Sequence, residues 1–420
     1  MRKGTWRLLL GLCDRTVLED VEVDEACDTV WAYVRPKRPK KRRCGVCGRR
    51  APREDAGSGQ RRCWRGLDLG TVKVFLVAEA PRVRCREHGR VVAQVPWARH
   101  GARHTRAFED TVAWLVTQAS KTAVAQLLRT TWRAVGGIVT RVVAEIDGQV
   151  DRFAGLRRIG VDEISYKRGH KYLTVVVCHD SGRLVWAAPG RDEATLHGFF
   201  DALGPERCKL ITHVSGDAAE WVGNVVAERC PQAVQCADPF HVVQWATEAL
   251  DEVRRETWNA AEGRRRGKPA TGQAKKLKRY RWALWKNPAK LSDRQREQLA
   301  WIADTHPRLH RAWRLKEGLR LVFQVKGEAG KEALDAWLVW ASRCRIPAFV
   351  ELGRKIRRHR KTINNALEHG LSQGLIESTN TKLRVLTRIA FGFRSPEALI
   401  ALGMLALGGY RPALPGRQAA

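Results

Sequence analysis

The run from Arg157 to Cys236 constrains the fold more than any other part of the chain. Three strand-like stretches come first: Arg157 to Val161, Tyr172 to His179 and Leu184 to Ala188. A helix over Asp192 to Leu203, a strand over Lys209 to Ser215, a helix over Ala218 to Cys230 and a strand over Ala233 to Cys236 complete it. This β-β-β-α-β-α-β order predicts a mixed sheet with helices against it. It sets Asp162 at the first strand and Asp217 just past the fourth.

Acids in those places point to chemistry. Asp162 follows the apolar run Ile159-Gly160-Val161, and Asp217 follows Leu210, Ile211 and Val214 through Ser215-Gly216. Glu377 lies in a helical stretch, Leu375 to Lys382. Each has an ordinary reading: a strand-end cap, the N-cap of a helix starting at Ala218, a surface glutamate. Together they predict catalytic acids that ligate two divalent metals about 4 Å apart, one activating a nucleophile and one stabilising the leaving oxygen. Magnesium suits oxygen-only ligands, with manganese as its substitute. Asp238, in Asp238-Pro239-Phe240-His241, ends the fifth strand and rivals Asp217 as the second ligand. If it is not a ligand, it supports the site from behind or contacts DNA, and Asn380 is expected to support the site as well.

The Glu377 helix carries more. Thr381, Arg384 and Arg388 follow Glu377 on the same stripe, and Lys382 flanks it. Lys382, Arg384 and Arg388 are therefore candidate contacts to a nucleic-acid backbone. The chain's balance of 76 basic and 44 acidic side chains, a net +32, favours the same partner. The basic residues run throughout, which suits a long DNA path. One dense run, Arg35 to Arg43, is interrupted by prolines and reads as a loop or arm.

Two cysteine knuckles stand near the N-terminus. Cys44-Gly45-Val46-Cys47 and Cys85-Arg86-Glu87-His88 each place two ligands at a tight turn. Together they complete a closed tetrahedral site suited to structural zinc, with Cys63 as a spare thiol. The other cysteines are scattered, which predicts a reducing cytoplasm rather than a disulfide framework. No stretch of about 18 apolar residues exists to span a membrane.

Residues 105–147 read as three helices. Ser120 caps one bearing Val124, Leu127 and Leu128 on its packed face. Thr130 and Thr131 cap the next, bearing Val135, Ile138 and Val139, with Ala125 at the crossing. This is a candidate helix-turn-helix, with Arg133 and Arg141 exposed toward a major groove. A plain helical hairpin is the alternative. Residues 239–345 look helical and Trp-rich, with a break at Glu262 to Pro269. Most of those tryptophans are expected to pack, with Trp282 and Trp285 as candidates to stack on bases. There is no phosphate-binding Gly-rich loop ending in Lys-Ser/Thr and no His-Glu-x-x-His, which argues against an ATPase and a zinc protease.

Taken in order, Gly160 to Gly169, Asp238 to Val243, Ile376 to Lys382 and Gly392-Phe393-Arg394 resemble the bacterial insertion-sequence transposases of the "L-three" family. Arg82 to Gly89 and the helical pair extend the likeness over nearly the whole chain. The resemblance implies a DDE transposase on a multi-domain α/β frame with a ribonuclease-H-like core. Residues 1–100 would form a zinc-binding DNA-binding module and 101–150 a helix-turn-helix module. Residues 151–238 would begin the core, 239–345 would be a helical insertion, and 346–420 would complete the core with the catalytic helix and a tail. By position, Asp162, Asp217 and Glu377 are the first, second and third acids; Ala218 after the second departs from the methionine common there. The implied activity is cleavage at terminal inverted repeats and transfer of the 3′ ends to target DNA. The implied partners are that double-stranded DNA and further copies of the chain, as a homodimer or larger synaptic complex at the bacterial nucleoid, with no membrane. A DNA-binding regulator without catalysis, and a structure-specific nuclease on the same fold, are the competing readings.

Overall fold

The computed structural model describes every residue except Met1, residues 39–41, 56–60, Ala218, 263–271, 372–373 and 418–420. The middle of the basic run and nearly all of the break before Pro269 therefore lie outside the described residues.

The N-terminal hundred residues form two small sheets. α1 (Lys3–Leu9) precedes β1 (Thr16–Asp24), β2 (Thr29–Pro36), β3 (Arg53–Asp55), β4 (Arg62–Arg65), β5 (Lys73–Ala78), β6 (Arg82–Cys85) and β7 (Gly89–Val92). One sheet runs β1-β2-β5-β4 and the other β3-β6-β7. Alternation along β2 buries Val30, Ala32 and Val34, and the last two pack with Leu18, Trp64 and Leu76.

Three helices follow: α2 (Arg106–Leu115), α3 (Lys121–Leu127) and α4 (Trp132–Asp147). Their starts are set by side-chain caps. Thr105, Ser120 and Thr131 accept from the backbone N–H of Phe108, Ala123 and Ala134. Val124, Ala125, Val135, Ile138 and Val139 are buried as their spacing predicts. Leu127 is not; it is 67% exposed. Val124 and Leu128, four residues apart, take the packed positions instead, with Leu128 half-buried against the same core.

The central sheet contains β8 (Arg158–Lys167), β9 (Lys171–Cys178), β10 (Leu184–Pro189), β11 (His213–Gly216) and β12 (Val234–Ala237). Its order is β10-β9-β8-β11-β12. The first three strands are antiparallel, and β11 is parallel to both β8 and β12. β8 runs on to Lys167, so Asp162 sits within it rather than at its end. β11 begins only at His213, because the turn that ends α6 continues through Leu210 and Ile211, whose N–H groups donate to Arg207 O and Cys208 O. The linking helices are α5 (Glu193–Leu203), α6 (Pro205–Cys208) and α7 (Glu220–Arg229). α5 and α7 cover one face through Leu196, Phe199, Phe200 and Val226, against Ile159 and Val161.

Beyond β12 the chain is helical: α8 (Pro239–Glu262), α9 (Gly272–Trp285), α10 (Asp293–Thr305), α11 (Pro307–Val322), α12 (Gly327–Arg343), α13 (Pro347–Arg358), α14 (Arg360–His369), α15 (Gly374–Ile389) and α16 (Pro396–Leu407). α8 to α13 share one core, in which Trp337 is buried and Trp245, Trp258, Trp301, Trp313 and Trp340 are half-buried. α14 lies along β12, and Asn365 donates to Gln235 O at 2.9 Å, covering the sheet edge. α15 and α16 cover the second face of the sheet, and α2 to α4 pack into the same apolar cluster. Among the described residues no helix is long and apolar enough to cross a membrane.

Candidate active site and metal centres

Strand register assembles the acids. Ser215 pairs with Gly160 on one side and Cys236 on the other. Two residues on from each stand Asp217, Asp162 and Asp238. Continued by two residues, that register puts the three carboxylates in one row across β8, β11 and β12. Neighbouring strands are about 4.8 Å apart, and residues of equal parity point to one face. That face is the one α15 covers. Ile376 of α15 lies over Gly160, where an added Cβ would stand 1.9 Å from Ile376 Cδ1. Glycine is what lets this helix approach the strand so closely.

Asp162 is held from both sides. Asn380 Nδ2 donates to its Oδ2 at 2.6 Å, and the Glu163 N–H donates to its Oδ1 at 2.7 Å. Burial raises the Asp162 carboxyl above its ordinary range, and the charges of Asp238 and Asp217 add to this. The Glu163 N–H and His241 pull the other way. Glu163 is held on Arg191 at 2.6 Å, and burial raises its carboxyl too.

Asp238 is 6% exposed and fully engaged. Its Oδ1 accepts from the Phe240 N–H at 2.8 Å and its Oδ2 from His241 Nδ1 at 2.6 Å. The hydrogen bond to Asp238 raises the His241 imidazole to about 9, with burial opposing and the charges of Asp217, Asp238 and Asp162 adding. The imidazole is therefore cationic at neutral pH. Asp217 is half-buried, and among the described residues its side chain makes no hydrogen bond. It is not the N-cap of the next helix, because α7 begins at Glu220 with Ala219 at the cap.

Glu377 lies on α15 rather than on the sheet. It is exposed in the first turn of α15, one turn before Asn380. The charges that act most on Asp162 are His241, Asp238 and Asp217, and Glu377 is not among them. Lys382, Arg384 and Arg388 are exposed along the same helix.

The donors suit a hard divalent cation. Three carboxylates converge with one imidazolium, and Asn380 Oδ1 is a buried acceptor with no donor among the described residues. A row of repelling carboxylates beside an unused buried acceptor is stabilised by positive charge.

The second centre is in the N-terminal module. The ligand atoms of Cys44, Cys47, Cys85 and His88 all lie within 4.8 Å of one another. Cys47 and Cys85 sulfurs are 3.7 Å apart, and His88 Nδ1 is 3.6 Å from Cys85 Sγ and 4.0 Å from Cys44 Sγ. Tetrahedral zinc with ordinary bond lengths has ligand–ligand edges of about 3.6–3.8 Å. The hydrogen bond to His88, helped by backbone N–H groups, lowers the Cys85 thiol to about 6. Cys63 is exposed on β4 and takes no part.

On α4, Arg133 is exposed. Arg141 corrects the sequence expectation. Its guanidinium bonds the fully buried Glu109 at 2.8–2.9 Å, so it is an internal partner rather than an exposed one. Sequence reading also missed the network around it. Arg99, itself buried, contacts Glu109, Asp110 and Glu145, and Arg106 contacts Glu145 at 2.6 Å. Acids and bases spaced tens of residues apart leave no local signal for such a cluster.

Residues 159–402 match the model of a DDE family described as "Transposase". Residues 93–143 match the helix-turn-helix domain of transposase family ISL3, and 40–88 match the zinc-finger of transposase IS204/IS1001/IS1096/IS1165. The chain is 63% identical to the transposase for insertion sequence element IS1557 of Mycobacterium tuberculosis, over 98% of this chain and 97% of the relative. It is 26% identical to the transposase for insertion sequence element IS1001 of Bordetella parapertussis, over 88% and 89%. With the Cys3His cluster inside the zinc-finger match, structural zinc is supported on two grounds. The helix-turn-helix match makes the chain a DNA-binding protein. The matches cover zinc module, helical pair and acid-bearing core in chain order: this chain belongs to the ISL3 family of DDE transposases of insertion sequences.

Proposed function

We propose that the chain cuts DNA at the terminal inverted repeats of its insertion sequence and transfers the 3′ ends to target DNA. Asp162, Asp217 and Glu377 are the acids that hold the metal ions. The observation that carries this reading is the row Asp162-Asp217-Asp238 on the sheet face that α15 covers. Two divalent cations bound there, magnesium or manganese, supply an activated oxygen nucleophile and stabilise the departing oxygen.

The chain's own residues prepare that site. Asn380 and the Glu163 N–H fix the orientation of the Asp162 carboxylate. Asp238 holds the His241 imidazolium beside the row, and that positive charge offsets part of the row's negative charge. Asp217 is the second ligand in preference to Asp238, because among the described residues its oxygens have no hydrogen-bond partner, while both oxygens of Asp238 accept hydrogen bonds. Glu377 would be the third, offered from the first turn of α15, one turn before the Asn380 that bonds Asp162. Lys382, Arg384 and Arg388 grip the backbone of the DNA being cut, and Arg133 touches the end sequence. Joining two ends requires two active sites in one complex, so a homodimer or larger assembly is the working form, in the bacterial cytoplasm at the nucleoid.

The test is nicking of a duplex carrying an element end, with magnesium or manganese. Wild type is expected to nick at the end, while Asp162→Ala binds the same DNA and leaves it whole. A regulator would bind without cutting. If Asp162→Ala still nicks, the assignment of the acids is wrong.

A further inference from the structure

α9 differs from every helix around it. Its 14 residues carry Lys275, Lys276, Lys278, Arg279 and Arg281 and no acidic residue. The helices around it each carry acidic residues, and some of their cations pair with them. Arg254 on α8 pairs with Asp251, Arg296 on α10 with Asp293, and Arg320 on α11 with Glu317. Among the described residues none of the five α9 cations has a carboxylate partner. The helix cannot turn this charge inward, because Ala274, Leu277, Ala283 and Leu284 already bury its opposite face.

The same face carries an aromatic. Trp282 is 61% exposed, and the Arg281 guanidinium lies over its ring at 4.8 Å. An exposed indole costs solvation that most of the insertion's tryptophans avoid by packing. A flat apolar ring among cations that have no carboxylate partner among the described residues matches the chemistry of a nucleic-acid backbone with its sugars and bases.

We propose that α9 is a second DNA-binding surface, separate from the helix-turn-helix and from the acid row. It grips the phosphodiester backbone of duplex DNA without regard to sequence, with Trp282 as its apolar contact. This rests on the reading of the chain as a transposase acting on DNA, since that supplies the polyanion. Sequence-independent grip is what the chemistry allows, because lysine and arginine side chains on phosphates carry no base information.

The test uses full-length, zinc-loaded protein with Lys275, Lys278 and Arg279 all changed to alanine. All three are exposed and alanine is a strong helix former, so an unchanged melting temperature is expected as a control. Affinity for a short duplex of unrelated sequence is measured over a salt series. Three lost phosphate contacts should flatten the slope of log K against log salt by about 2.7, and weaken binding about ten-fold or more at low salt. The preference for element-end DNA over unrelated DNA should hold within about two-fold, since non-specific contacts contribute to both equally. Trp282→Ala should weaken the same duplex several-fold, and Trp282→Phe less. An unchanged slope, or a loss confined to element-end DNA, would overturn the proposal. So would an unchanged slope accompanied by altered self-association, which would make α9 a protein contact. The two readings fail separately. Wild type that does not nick sinks the catalytic assignment and leaves the salt series standing, whereas a triple variant with the parental slope sinks α9 alone.

Discussion

At Asp162 two hydrogen bonds decide which way a carboxylate faces. One of them comes from a side chain 218 residues away. Asn380→Ala should therefore lower metal-dependent nicking by about 10–100-fold, the usual loss when a ligand's hydrogen-bond partner goes. The loss should shrink as manganese is raised, and DNA affinity should stay near the parental value. The three aspartates stood out because each follows a short apolar run, although Asp162 lies within β8 rather than at its end. Arg141 was misread because its exposure depends on Glu109, 32 positions away. His104 gives a pH prediction. Burial, and then the charges of Arg141, Arg65 and Arg103, lower its imidazole to about 4, and it stacks on Phe108 at 4.7 Å. The folded state thus favours neutral imidazole, while the unfolded chain takes up a proton near pH 6.5. Stability from this group is complete above about pH 6.5 and is lost as pH falls toward 4. The loss should be on the order of 1 kcal/mol, after allowing for its partial exposure. Melting curves at neutral and mildly acid pH should show the gap between wild type and His104→Gln narrowing in acid.

Elements meet here through a few tight contacts. α15 reaches β8 because position 160 has no side chain. Gly160→Ala should cost about 1–3 kcal/mol by overpacking and displace Asn380 from Asp162. Adding Ile376→Ala should restore much of the stability and part of the nicking, a rescue that a purely local backbone effect of Gly160 would not give. The Arg99 cluster ties the segment after the zinc module to α2 and α4. Arg99→Ala leaves Glu109 buried with one cation fewer and should destabilise by about 3–5 kcal/mol, read by chemical denaturation. Element order, helix caps and the period of the buried faces were readable, because they are local properties. The length of β8 was not, since β9 rather than its own composition extends it to Lys167. Nor was the late start of β11, where the turn closing α6 takes up Lys209 to Ile211 before the strand begins.

For the whole molecule, two metal centres of different chemistry serve different ends. Thiolates and an imidazole close one of them; the proposed other would be made of oxygen donors on the sheet face that α15 covers. Cys47→Ser should lose the single zinc, found at about one per chain in wild type by metal analysis, and with it protease resistance in residues 44–92. The sheet core should stay folded, because its packing does not include that module's strands. Zinc ligands were legible as paired knuckles, whereas the meeting of sheet and α15 was legible only as a likeness, because no local pattern joins Asp162 to Asn380. Everything turns on whether that meeting place holds divalent cations. Manganese binding to zinc-loaded protein, counted by electron paramagnetic resonance with element-end DNA present, asks this directly. About two ions per chain are expected in wild type, with binding sharply weakened in Asp162→Asn. Equal number and affinity in both proteins would contradict it.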